Sequence, residues 1–317
     1  MAGQEGVKGD DTSETCGETR FHEPLSAAFN RYTTERIGQQ IMDKIQIIVT
    51  GATGSMGSEA VRALAKKGHS VIMACRNLEK GETVRKSILE EMPAAELQLM
   101  QVDLASLSSV VSFTDALKEQ GVALSGLFNN AGVMNRRYGL TVDGFERTLA
   151  VNFLAPYLLT RRLIPLFTPD AHVVNMISLT CHLGHVGRDL FEKGPKDFRQ
   201  LGTYGDSKLA LLLFTIALSR RVRFHVNMAD PGVVNSNMIH MDRWYDGLAD
   251  VVFRPFCKSP EKGVVPALNA LATEERLHFF NGNRCREVPG KYMSHQDIDW
   301  LWEITEVELR KKDFSCF

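Results

Sequence analysis

The chain has 317 residues, 44% of them hydrophobic and 24% charged, with a formal net charge of −1. At roughly 100–200 residues per domain that length carries one domain with a large core plus an extension, and the near-neutral balance lacks the basic field that nucleic-acid binding requires. Six cysteines, none in a Cys-x-x-Cys pair, outline neither a zinc site nor a disulfide framework and fit a reducing compartment.

Residues 1–43 read as a polar N-terminal extension. Its first 23 residues carry neither the apolar core of a signal peptide nor the Arg bias of a transit sequence, and their composition predicts disorder. Ser26 to Met42 has helical periodicity through Phe29, Tyr32, Ile37 and Ile41. The longest apolar helical run, Leu209 to Leu218, is far short of the roughly 20 residues that span a bilayer. The expectation is a soluble, cytoplasmic protein without a membrane span.

From Lys44 to the end, residues 44–317, short β-rich runs alternate with helical patterns. Strands are predicted at Ile45–Thr50, Ser70–Cys75, Leu97–Gln101, Leu124–Asn129, His172–Ser178 and Arg223–Met228. Helices are predicted at Ser55–Lys67, Leu78–Glu91, Leu107–Gln120, Gly144–Leu166 and Thr203–Arg221. This alternation implies an α/β fold, a doubly wound parallel sheet with helices on both faces. After Gly232 come an aromatic-rich helical stretch (Met238–Cys257), a helix at Glu261–Thr273, a last strand near Gly290–Met293 and a terminal helix at Asp297–Lys312.

Thr50-Gly51-Ala52-Thr53-Gly54-Ser55-Met56-Gly57 joins the first strand to the first helix. Glycines at this spacing permit a tight turn, close approach of backbone to a pyrophosphate, and close helix–strand packing. The helix N-terminus adds free N–H groups and a positive dipole end. At the end of the second strand, Cys75 and Arg76 stand where an acidic residue would bind the 2′-hydroxyl of NAD, so NADP(H) is favoured over NAD(H). Asp103 either meets the adenine edge or caps the helix that follows.

Tyr204 and Lys208 lie four residues apart, so a helix puts both side chains on one face. An ammonium beside a phenol favours the phenolate and lowers the phenol pKa, as acid–base chemistry near neutrality requires. Ser178 ends the apolar stretch before them. His182 and His185 lack a third ligand, so no metal site is assigned.

With these residues in order, Lys44 to about Leu309 resembles the short-chain dehydrogenase/reductase family, nearest its retinol-dehydrogenase-like branch. The supporting motifs are the glycine turn, Ala74-Cys75-Arg76-Asn77, Asp103-Leu104, Asn129-Asn130-Ala131-Gly132, Val151-Asn152-Phe153, Ser178, Tyr204 to Lys208, and Pro231-Gly232. The resemblance implies a Rossmann-type fold, with Gly51, Thr53, Gly54, Ser55, Met56, Gly57, Arg76, Asp103, Leu104, Asn130, Ala131 and Gly132 along the adenosine and phosphate side of the cofactor. Pro231, Gly232, Val234 and Ser236 would wrap the nicotinamide end. Asn152, Ser178, Tyr204 and Lys208 would form the catalytic set, with Tyr204 exchanging the proton, Ser178 holding the substrate oxygen, Lys208 also binding the ribose, and Asn152 placing a water. A substrate lid at about 236–258, rich in apolar side chains, implies a lipophilic small-molecule alcohol or carbonyl. Relatives dimerise through the helices that here carry Asn152 and Tyr204, which implies a homodimer.

Three features depart from the family pattern: Ser55 in place of a second glycine, Ile177-Ser178 in place of a Ser-Ser pair, and more than forty residues before the first strand. The glycine spacing alone matches extended-type sugar-nucleotide epimerases, which would need a larger C-terminal domain. A non-catalytic nucleotide-binding regulator is the other alternative, and it has no need of all four catalytic side chains.

Overall fold

Strand β1 (Ile45–Thr50), β2 (Ser70–Cys75) and β3 (Leu97–Gln101) start and stop on the predicted residues. β4 (Ala123–Asn129), β5 (Phe167–Met176) and β6 (His225–Asp230) form with shifted ends. The computed structural model describes residues 45–234 and 258–316. The predicted extension at 1–43, the stretch from Met238 to Cys257 and Ser236 lie outside the described residues.

The eight strands make one sheet in the order β3-β2-β1-β4-β5-β6-β7-β8, with β7 (His278–Asn281) and β8 (Arg284–Glu287) at one edge. All neighbours pair in parallel except β7 and β8. Alternate residues of a strand face opposite sides, and here both sides are covered, which is why the central strands read as near-continuous apolar runs. On one face Val49, Val71 and Met73 pack with Val61 and Leu64 of α1 (Ser55–Lys66), Ile88 of α2 (Leu78–Glu91) and Val264 of α7 (Pro260–Ala270). On the other, Ile48, Ile72 and Val173 pack with Phe113 of α3 (Leu107–Glu119), Leu158 of α5 (Ala155–Leu163) and Leu212 of α6 (Gln200–Ser219).

The predicted helix from Gly144 to Leu166 is divided. α4 (Arg147–Leu149) runs into a π-helical turn (Ala150–Leu154), then α5, then a 3-10 turn (Ile164–Leu166) containing Pro165. The last strand expected near Gly290–Met293 is instead a single helical turn, α8, following Pro289. The sheet is completed by the β7–β8 hairpin, whose turn has Gly282 at φ +58°, the positive φ that primed hairpin turns require.

α6 is longer than the apolar run within it. Its 20 residues are long and apolar enough to cross a membrane by length and composition, yet 78% of that stretch is buried inside the protein, as in a core helix. Part of its cover is α9 (Asp297–Arg310). Trp302 of α9 packs on Tyr157 of α5 and Phe214 of α6, and Arg161 stacks over the Trp302 ring at 4.3 Å. Arg161 also pairs with Glu306 at 3.0 Å, and the Tyr157 hydroxyl donates to Glu306 Oε1 at 2.9 Å. Every residue of α5 is buried within the single chain. α9 thus covers α5 and the Phe214 part of α6 within the chain.

Candidate active site

Strand order reverses between β1 and β4, and ligands of doubly wound sheets bind in the crevice beyond that switch point. Thr50 clips the two strand ends together: its hydroxyl accepts the N–H groups of Asn130 (3.0 Å) and Ala131 (3.1 Å), and its carbonyl accepts Asn130 Nδ2 (2.9 Å). Gly51 turns at φ +65°, which only glycine adopts without strain. A Cβ on Gly57 would lie 2.1 Å from the Gly51 carbonyl oxygen, so the turn closes only over a hydrogen. Gly54 is the N-cap of α1 and offers no side chain to its N–H groups. The predicted glycine cradle is built as the sequence implies, with Ser55 occupying the first helical position.

The cleft beyond this turn has a volume of about 670 Å³. Gly51, Thr53, Gly54, Ser55, Met56, Gly57, Arg76, Asp103, Leu104, Asn130, Ala131 and Gly132 all line it. Asn130 Oδ1 is buried with no partner among the described residues, an acceptor left for a ligand donor. These features fit a dinucleotide. Asp103 Oδ1 accepts the N–H of Ala105 at 2.9 Å, while Ser106 caps α3, so helix capping is not the role of Asp103. Lys80, Arg147 and Val151 also line the cleft and were not singled out from the sequence. Lys80 was legible in principle, standing four residues after Arg76 in the first turn of α2.

Asn152 sits in the π-helical turn, fully buried. Its Oδ1 accepts Val133 N–H (2.8 Å), and its Nδ2 donates to Val133 O (2.9 Å) and Ser207 Oγ (3.0 Å). Ser207 in turn donates to the Tyr204 carbonyl at 2.7 Å. Asn152 therefore ties the segment that follows β4 to the helix that carries Tyr204 and Lys208. A Cβ on Gly132 would lie 3.4 Å from both Asn152 Oδ1 and Lys208 Nζ, so these groups converge on one point.

Lys208 is 2% exposed and donates to the Met176 carbonyl at 2.8 Å, with Nζ 5.7 Å from the centre of the Tyr204 ring. Ser178 follows β5 and caps the 3-10 turn Leu179–Leu183 through Thr180 N–H at 3.3 Å, and its hydroxyl is near enough to lower the Tyr204 pKa. Two glycines bring that turn to α6: a Cβ on Gly184 would lie 2.3 Å from Gly205 O, and one on Gly205 would lie 2.9 Å from Thr180 O. Asp206 reinforces the contact by accepting His185 N–H at 2.6 Å and Lys193 Nζ at 2.9 Å. All four predicted catalytic residues therefore belong to one connected site.

The electrostatics differ from the sequence expectation. Tyr204 is pushed up to about 12 by loss of surrounding water; the bond from Ser178 lowers it, and the nearby carboxylate of Asp230 raises it. Burial brings Lys208 from its ordinary 10.5 down to about 8, opposed by Asp230. The depressed phenol pKa expected from Lys208 is not found: burial raises Tyr204, Ser178 alone lowers it, and Lys208 is not among the groups that act on it.

Pro231 and Gly232 leave β6 in a turn with Gly232 at φ +72°. Lys258 Nζ donates to Pro231 O at 3.2 Å, and Val234 bridges to Lys258. Val234 and Met56 meet at Gly263 of α7, where a Cβ would lie 2.7 and 3.2 Å from their side chains. The loop after β6 and the first turn of α1 thus both meet α7 at Gly263. His182 bonds Tyr292 through Nδ1 rather than facing a partner ligand.

A family model described as short chain dehydrogenase matches residues 46–244. Retinol dehydrogenase 11 of Homo sapiens is 33% identical over 272 residues, covering 82% of this chain and 84% of its own length. Polyprenol dehydrogenase of Mus musculus is 37% identical over 283 residues, covering 84% and 80%. Among solved structures, an uncharacterized protein from Mycobacterium paratuberculosis is similar with a TM-score of 0.68 at 28% identity, covering 84% of this chain and 94% of that one. Levodione reductase, at 16% identity, TM-score 0.60 and coverage of 80% and 98%, shares the fold.

Proposed function

The chain belongs to the short-chain dehydrogenase family, in its retinol-dehydrogenase-like branch, and from that premise we propose that it is an NADP(H)-preferring oxidoreductase of a hydrophobic alcohol or carbonyl. The observation that carries this reading is the convergence of Asn152, Ser178, Tyr204 and Lys208 beside the dinucleotide-shaped cleft. The nicotinamide, when bound, supplies or accepts the hydride. Tyr204 gives its phenolic proton to the substrate oxygen in reduction and takes one in oxidation. Ser178 orients that oxygen, and its bond to Tyr204 steadies the phenolate that forms. Lys208, held on the Met176 carbonyl, presents its remaining protons to the cofactor ribose.

The preference for NADP(H) is supported by Arg76 and Lys80 on the cleft wall, where Asp103 is the one acidic lining residue among those described. A hydrophobic substrate is supported by the exposed Leu179, Leu183, Leu201 and Val233, which flank Ser178, Tyr204 and Gly232 in sequence. Two relatives are named for retinol and polyprenol, both apolar alcohols. The reading is tested by titrating the protein with NADPH and NADH by nicotinamide fluorescence, then following absorbance with a panel of hydrophobic aldehydes and ketones. NADPH binding with turnover supports it; no binding of either nucleotide overturns it.

A further inference from the structure

Asp230 closes β6 and is 1% exposed, and nothing in the sequence pattern marked it. Its oxygens are held separately: Oδ1 accepts the Gly232 N–H at 2.9 Å, and Oδ2 accepts Asn281 Nδ2 of β7 at 3.0 Å. The Lys208 ammonium ends at the same strand edge. It is bound to Met176 O, Met176 pairs in register with Ala229, and the Ile177 N–H donates to Ala229 O at 2.9 Å. A buried carboxylate is costly unless it is paired and hydrogen-bonded; here two hydrogen bonds and the ammonium groups of Lys258 and Lys208 offset part of that cost.

We propose that Asp230 is a positioning residue of the Tyr204–Lys208 pair: it pegs the Pro231–Gly232 turn and serves as the buried counter-charge that sets the protonation of both side chains. This rests on the reading of Tyr204 and Lys208 as catalytic. A negative charge at this point favours ammonium over amine at Lys208 and phenol over phenolate at Tyr204. A phenol that keeps its proton is a donor, so Asp230 biases the site toward carbonyl reduction near neutrality and defers alcohol oxidation to higher pH.

The charged and titratable groups acting on Asp230 come from several elements. α6 contributes Lys208 and Tyr204, the 3-10 turn contributes Cys181, Lys258 stands ahead of α7, and β7 contributes only the neutral Asn281. Burial raises the Asp230 pKa; the bonds from Gly232 and Asn281, then Lys258 and Lys208, lower it.

The test is Asp230→Asn, which keeps size and shape and lets the Asn281 amide turn to face it. Tyr204 is read by near-ultraviolet phenolate absorbance, as the difference between each protein and the same protein carrying Tyr204→Phe. The expected result is a Tyr204 titration lowered by about one pH unit, with the acid limb of the alcohol-oxidation profile moving down alongside it. Should the amide variant not fold, Asp230→Ser keeps an oxygen for the Gly232 N–H, and the same downward shift is expected. A Tyr204 titration and a pH profile that stay in place, with only thermal stability changed, would make Asp230 a structural peg and overturn the proposal. The absorbance titration does not need turnover, so a failure of the oxidoreductase reading leaves Asp230 still decided.

Discussion

A Cβ on Gly184 would lie 2.3 Å from the carbonyl oxygen of Gly205. The turn after Ser178 therefore rests backbone to backbone on α6, one residue from Tyr204. We expect Gly205→Ala to push the two segments apart at Thr180 O, which a new Cβ would approach to 2.9 Å. A displacement near 1 Å costs about 10²-fold in rate. The steady-state kcat should fall by that order while NADPH affinity, set by the separate glycine cradle, is retained. An unchanged kcat would mean the contact does not set the Ser178–Tyr204 geometry.

Arg76 and Lys80 supply the positive side of the cleft near the end of β2. A hydrogen bond to a charged group contributes about 1.5–3 kcal/mol, so Arg76→Ala should weaken NADPH by roughly tenfold or more and leave NADH almost unaffected. Fluorescence titration with both nucleotides reads this directly. Equal losses for the two would remove Arg76 as the discriminator.

α5 is buried, with Trp302, Arg161 and Glu306 packed across it inside one chain. Light scattering is expected to show no dimer formed through α5 and α6. Hydrogen exchange that protects α5 only as concentration rises would contradict this. Glu306→Ala should lower the denaturation midpoint, because it removes the buried carboxylate that Arg161 and the Tyr157 hydroxyl share.

The parts of this structure legible in the sequence are those fixed by local pattern. β1 and β2 are short, mostly apolar runs between polar residues or glycine, as strands covered on both faces are, while the edge strand β3 alternates leucine with glutamine before Met100. The glycine cradle and the Tyr204–Lys208 spacing are local too. What escaped depends on contacts between distant segments. The π-helical turn at Asn152 reads as ordinary helix, the Gly184–Gly205 contact joins residues 21 apart through bare backbone, and Asp230 meets Asn281 of β7 only in the folded sheet. The β7–β8 hairpin carries a usable signal in its two loop residues, Gly282-Asn283, whereas Pro289 before Gly290–Met293 opens a helical turn where the pattern reads as a strand.

Lys208 gives a pH signature in stability. Its pKa in the folded protein is about 8 against an ordinary 10.5, so the unfolded chain binds more protons between those values and folding becomes more favourable as pH rises through that window. The penalty is fully present below about 8 and relieved toward 10.5. Denaturation of the wild type and Lys208→Met at about pH 7 and about pH 10 should show the wild type gaining up to roughly 3 kcal/mol relative to the variant, at about 1.4 kcal/mol per pKa unit. Parallel curves would mean that Lys208 is not desolvated as described.

The most direct test of the central claim is Tyr204→Phe, which removes one oxygen and leaves the ring in place. We measure NADPH affinity by fluorescence and turnover of whichever hydrophobic carbonyl the wild type reduces fastest. The account predicts retained NADPH binding with turnover lost, since the phenol is the group that passes a proton to the substrate oxygen. A variant that turns over at the wild-type rate would contradict Tyr204 as the acid–base group, and with it the mechanism proposed for this site.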